Sequence, residues 1–127
     1  MELLVTFAII AMLMGIVLSS MNSARNRGAN GAIKSNLNNL RSQVELYYDG
    51  SLTGYTGLCT DTRITKFMVA ADGVSTGTSV CYASASAWAV SSPLRVAEGS
   101  AVYWCVDSRS NGSGTASALS SGATQCP

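Results

Sequence analysis

Residues 1–20 read MELLVTFAIIAMLMGIVLSS, and the fold turns on how this stretch is read. After Glu2 come sixteen uncharged residues, Leu3–Leu18, apolar on every face of a helix. An ordinary surface helix is apolar on one stripe only. At 1.5 Å per residue the run spans about 24 Å, slightly short of a bilayer core. Gly15 is the one weak helix former within it. A lone carboxylate, Glu2, marks its start.

Beyond Ser19 the pattern changes but nothing stops the helix. No proline occurs before Pro93. Ile33, Leu37, Leu40, Val44 and Tyr47 recur at steps of four and three, an amphipathic stripe. Arg41 and Glu45 stand four apart, a pairing that adds a few tenths of a kcal/mol. Gly28 and Gly31 weaken the middle, and Gly50 is placed to cap the end. The pattern predicts one helix over about residues 2–49. Residues 1–24 form its hydrophobic, transmembrane or polymerisation half, and residues 25–49 its amphipathic half. The latter opens the globular part, residues 25–127.

The rest is rich in Ser, Thr, Gly and Ala. Ser51–Leu58 reads as a loop. Thr60-Asp61 caps a short helix over about 60–71, with Ile64, Phe67 and Met68 on one face and Asp72-Gly73 as its stop. Strand-like runs follow at Ser79–Ala83, Ser86–Ser91 and Ala101–Ser108, with Glu98-Gly99-Ser100 as a turn. Arg109–Gly114 reads as a second turn and Thr115–Leu119 as a final strand. The fold class is therefore α+β: a long N-terminal helix packed on a small antiparallel sheet over about 79–119. Trp88, Tyr103 and Trp104 read as sheet core or face.

The four cysteines, Cys59, Cys81, Cys105 and Cys126, fit two disulfides and an oxidising location. No CxxC and no histidine is present, which argues against a metal site. Three pairings are possible, and spacing does not choose among them rigorously. The expectation is the two sequence-neighbour closures, Cys59–Cys81 and Cys105–Cys126, each stabilising by roughly 3 kcal/mol through lost chain entropy. The second would hold the tail, Ser120–Pro127.

With eight Lys/Arg against seven Asp/Glu, the chain has no bulk attraction to nucleic acid. Without histidine there is no Ser-His-Asp or Cys-His arrangement, and no phosphate loop or dinucleotide motif occurs. The carboxylates are scattered, so no enzyme and no cofactor is expected. Arg25, Arg27 and Lys34 form one basic cluster, which reads as the flank of a membrane segment. Asn111-Gly112-Ser113 is a weak glycosylation triplet.

Three readings of the leader remain. A cleaved secretory signal would start with positive charge, and here the start is acidic. A simple anchor accounts for the apolar run but not for its continuation into an amphipathic helix. A polymerising helix accounts for both, since a carboxylate withdrawn from water needs a cation, which a neighbouring N-terminal amine supplies. Subunits repeating through such a non-closing contact make a filament.

Glu2-Leu3-Leu4-Val5 with Phe7-Ala8-Ile9-Ile10 resembles the N-terminal helix of type IV pilins and pseudopilins. The motif covers about the first twenty residues; the remainder is similar in architecture. The resemblance implies an extracellular filament subunit, held in the inner membrane before assembly. It implies Glu2 as the group that neutralises a neighbour's N-terminus, with Leu3, Leu4, Val5, Phe7, Ile9 and Ile10 as assembly residues. Its implied partners are identical subunits, the pilus assembly machinery and prepilin peptidase. Adhesion, motility and N-methylation come only with the family, and Cys105–Cys126 would bound its C-terminal disulfide region. A minor pilin or a secretion or competence pseudopilin is the nearer alternative. A calcium-binding version is disfavoured, because Asn111–Pro127 holds no acid. A membrane-anchored extracytoplasmic binding domain is the alternative of another class.

Family members carry a phenylalanine-led stretch of four residues before this glutamate, where only Met1 stands here. The expectation is a sequence that lacks three mature residues and its leader. Members also often carry a glycine at the place of Ala11 and a proline at that of Ser19. Their absence predicts a straighter free helix, with any loosening in filaments confined to about Ala11–Ser19.

Overall fold

A computed structural model describes residues 2–49, 52–109 and 112–127. Helix α1 runs unbroken over Glu2–Asp49, through Gly15, Gly28 and Gly31 and across Ala11–Ser19. A short 3-10 turn, Leu58–Thr60, leads into α2, Thr62–Asp72. The strands are β1 Val80–Ala83, β2 Trp88–Glu98, β3 Ala101–Asp107 and β4 Gly112–Thr115. They form one antiparallel sheet in chain order. The chain is thus α+β, with a long apolar N-terminal helix and a four-stranded sheet.

The predicted stripe becomes the core. Ile33, Leu37, Leu40 and Val44 are wholly buried, and Tyr47 packs beside them. They meet Leu58, Ile64 and Ala71 from the α2 side and Trp88, Val90 and Val106 from the sheet. Burying one such aliphatic side chain contributes about 1.5–3 kcal/mol. Asp61 caps α2, accepting the Arg63 N–H at 2.8 Å, and Gly73 ends it. The Asp61 carboxyl is held below its usual range mainly by the Arg63 side chain. On the opposite sheet face a smaller cluster gathers Ala89, Cys105 and Leu119. The stop at Asp72-Gly73 is as expected, whereas Met1, the Gly50 cap and Asn111 lie outside the described residues.

Both disulfides are the sequence-neighbour closures, Cys59–Cys81 and Cys105–Cys126. The first ties the turn before α2 to β1, and the second ties the tail to β3. Two bonds from backbone to side chain reinforce the second: Cys126 N–H donates to Asp107 Oδ2 at 3.0 Å, and Leu119 N–H to Ser91 Oγ at 3.3 Å.

Two strands differ from expectation. The strand expected at Ser86–Ser91 runs instead over Trp88–Glu98, through Pro93. Register with β3 shifts between Pro93 and Glu98, where a missing N–H is tolerated. The fourth strand is Gly112–Thr115, where a turn had been expected, and not Thr115–Leu119. Glycine reads as turn, but here it serves close approach. A Cβ on Gly114 would lie 2.6 Å from the Ala101 Cβ, and one on Gly112 would lie 3.3 Å from the Trp104 ring. By contrast, a Cβ on Gly28 or Gly31 meets nothing within 4 Å.

Opposite signs are therefore expected for two Gly→Ala changes, read by urea unfolding of the full chain in mild detergent. Gly31→Ala stabilises by up to about 1 kcal/mol through helix propensity. Gly114→Ala destabilises by about 1–3 kcal/mol through overpacking against Ala101. Leu37→Ala is expected to cost about 2–5 kcal/mol in the same assay.

Candidate functional site

The apolar half of α1 stands clear of the domain. Leu3, Leu4, Val5, Phe7, Ile9 and Ile10 are 49% to 74% exposed. Among the described residues this is the one helix long and apolar enough to cross a membrane. Thr6, the one hydroxyl within the run, donates to the Leu3 carbonyl at 2.8 Å and so carries no free donor into an apolar environment. Glu2 is exposed at the tip, and among the described residues no cation pairs with it.

The first wholly buried residue of α1 is Asn30. Its side-chain oxygen accepts the Arg95 N–H at 2.7 Å and the Val96 N–H at 3.2 Å. Its amide nitrogen donates to the Val96 carbonyl at 2.8 Å and to Glu98 Oε1 at 3.0 Å. A primary amide has two donors and two acceptor lone pairs, and all are used. These bonds fall where β2 slips its register against β3, so the side chain replaces part of the interrupted ladder. Asn30 thereby sets the point at which α1 leaves the sheet. It was not singled out from the sequence. The available signal was its place, three residues before Ile33 on the same stripe.

Lys34 lies one turn further on. Its ammonium pairs with Glu98 Oε2 and sits 4.8 Å from the Trp104 ring centre. The Glu98 carboxyl is held below its usual range by the Lys34 hydrogen bond first and that of Asn30 second. Lys34 thus belongs to the helix–sheet joint, apart from Arg25. Arg27 adds a further positive field beside Glu98. Arg41 turns to the sheet and donates to the Asp107 carbonyl at 3.4 Å. Trp88 is fully buried in the core, while Trp104 is partly covered by Lys34. Among the described residues no three His, Cys, Asp or Glu side chains gather as metal ligands. The arrangement offers a long exposed hydrophobic rod, a terminal carboxylate and a rigid joint to a disulfide-tied domain.

Asn30→Ala removes the partners of the Arg95 and Val96 backbone groups, which are partly buried, at about 0.5–1.5 kcal/mol per hydrogen bond lost. The expected outcome is faster hydrogen exchange at those two amides with the Leu37–Val44 core still protected. The Glu98 carboxyl also sets a pH dependence. Its folded pKa is depressed, so its contribution is present above the unfolded value and disappears as pH falls through the folded value. Glu98→Gln is therefore expected to lower stability at pH 7 but to converge with the parent in acid, below the usual carboxylate range. Both ends of the comparison are read by urea unfolding. Compared with protein-family models, curated proteins and solved structures, the chain matches none of them.

Proposed function

We propose that this chain is a structural subunit of a type IV pilus-like extracellular filament, held in the cytoplasmic membrane before assembly. The observation that carries the reading is the exposed apolar helix Leu3–Leu18, tipped by Glu2, which pairs with no cation among the described residues, and joined to a disulfide-tied α+β domain. Exposed apolar surface of that extent demands cover. Lipid supplies it to the single subunit, and the same helices of neighbours supply it in a filament. Glu2 then pairs with the N-terminal amine of an adjacent subunit and sets register, because a carboxylate moved out of water needs a cation. Within this class a major pilin is favoured over a minor pilin or pseudopilin. Prepilin peptidase processing, N-methylation, adhesion and motility belong to the resemblance alone.

A second reading keeps the membrane and drops the polymer. The helix length favours it equally, since about 24 Å of apolar rod nearly fills a bilayer core. It leaves Glu2 without a role.

Glu2→Ala separates the two. Under the filament reading, electron micrographs of cells carrying the variant show no filaments, while the subunit stays in the membrane fraction with both disulfides formed. Normal filaments from the variant would refute the role given to Glu2. Absence of filaments from the parent as well would favour the anchored domain.

A further inference from the structure

Where α1 emerges from the domain there is a polar cleft of about 600 Å³. Asn22, Arg25 and Asn26 line it from α1, and Gly73, Val74 and Arg95 from the globular side. Arg25 and Arg95 are far apart in sequence and face one space. Their approach follows from the Asn30 clamp, which holds the Arg95 backbone against α1.

The charges near the cleft are unbalanced. Arg95 Nη1 makes one long bond, 3.4 Å, to the Ser75 carbonyl. Among the described residues neither Arg25 nor Arg95 forms an ion pair. Glu98 is engaged by Lys34 and Asn30 on the other flank of α1. Asp72, the residue before Gly73, uses Oδ1 to accept from the Ser79 N–H and hydroxyl. Two guanidinium groups and two side-chain amides therefore surround a space that no carboxylate lines. Donors of this kind suit a phosphate oxyanion.

The height of the cleft selects the source of that phosphate. Arg25 lies about 10 Å along the helix from Leu18, at 1.5 Å per residue. The polar layer on each side of a bilayer core is about 5–8 Å deep. Side chains on a helix lean toward its N-terminus, so the Arg25 guanidinium reaches back into that layer. We infer that the cleft between Arg25 and Arg95 holds the phosphodiester headgroup of an anionic phospholipid while the subunit resides in the membrane. This rests on the membrane residence argued above. The bound headgroup fixes the height and rotation of the globular domain on the bilayer.

The test uses the full chain in phosphocholine micelles doped stepwise with short-chain phosphatidylglycerol, read by NMR. Saturating shifts are expected at the amides of Asn22, Asn26, Gly73 and Val74. Arg25→Gln or Arg95→Gln should weaken the response about tenfold, the loss of one charge-assisted hydrogen bond. Arg95→Lys should retain part of it, and Arg109→Gln, remote from the cleft, all of it. The Asn30 clamp uses only the Arg95 backbone, so these variants keep the fold, checked by unchanged shifts at Leu37–Val44. Equal shifts with added short-chain phosphatidylcholine, or no effect of Arg95→Gln, would overturn the inference. Equal shifts with inorganic phosphate at the same concentration would assign the cleft to a free oxyanion and overturn the lipid. A spin label on the acyl chains tests the premise separately. Broadening of residues 3–18 with silent cleft amides overturns this inference alone, whereas unbroadened 3–18 signals overturn the membrane residence with it.

Discussion

One buried amide determines how the two parts of this molecule are joined. Asn30 is enclosed on the stripe that otherwise carries Ile33, Leu37, Leu40 and Val44. A buried polar side chain without partners costs free energy, so its presence is tolerated only where all its bonds are made. The Arg95–Glu98 stretch of β2 makes them. Apolar contacts further along α1 are less directional and would tolerate some sliding. The amide does not, because one turn of slip would leave both it and the β2 backbone unpaired. Helix position against the sheet is therefore fixed by hydrogen bonding, while the adhesion between them is hydrophobic.

Toward the N-terminus of that amide, α1 has no buried residue among those described. Toward its C-terminus, the helix face is covered, and both disulfides lie in the globular half. The globular half can thus hold its shape whatever surrounds the rod. The rod, by contrast, receives no such cover from the described part of its own chain. That separation is what a subunit moving between two surroundings requires, and it underlies the filament proposal. Lys34, placed by sequence beside Arg25 and Arg27, shows how the joint reassigns charge: it neutralises Glu98, and Arg25 faces Arg95.

What could be read from the sequence was what is periodic or local. The stripe from Ile33 to Val44, the Asp61 cap, the Gly73 stop and the all-round apolar run needed only residue spacing. The neighbour closures of the cysteines followed the same locality. The unread features are those in which one segment completes another. The length of β2 past Pro93 depends on a side chain 65 residues away. Strand β4 depends on how closely Gly112 and Gly114 approach Trp104 and Ala101, which no local pattern announces. In the candidate site, Glu2 and its apolar followers were legible as chemistry. Arg95 was not, because nothing in its neighbourhood links it to Arg25 until the clamp is formed.

The long seam between α1 and the sheet has a mechanical consequence. From Asn30 to Tyr47 the contact extends about 25 Å along the helix axis. Tension applied through the rod runs parallel to this seam, so the core contacts and the amide bonds are loaded together in shear. Bonds arranged in parallel share a load and yield collectively, whereas a seam pulled open from one end fails contact by contact. The direction in which α1 leaves the domain therefore makes this junction stiffest along the helix axis, the axis on which the proposed filament would pull.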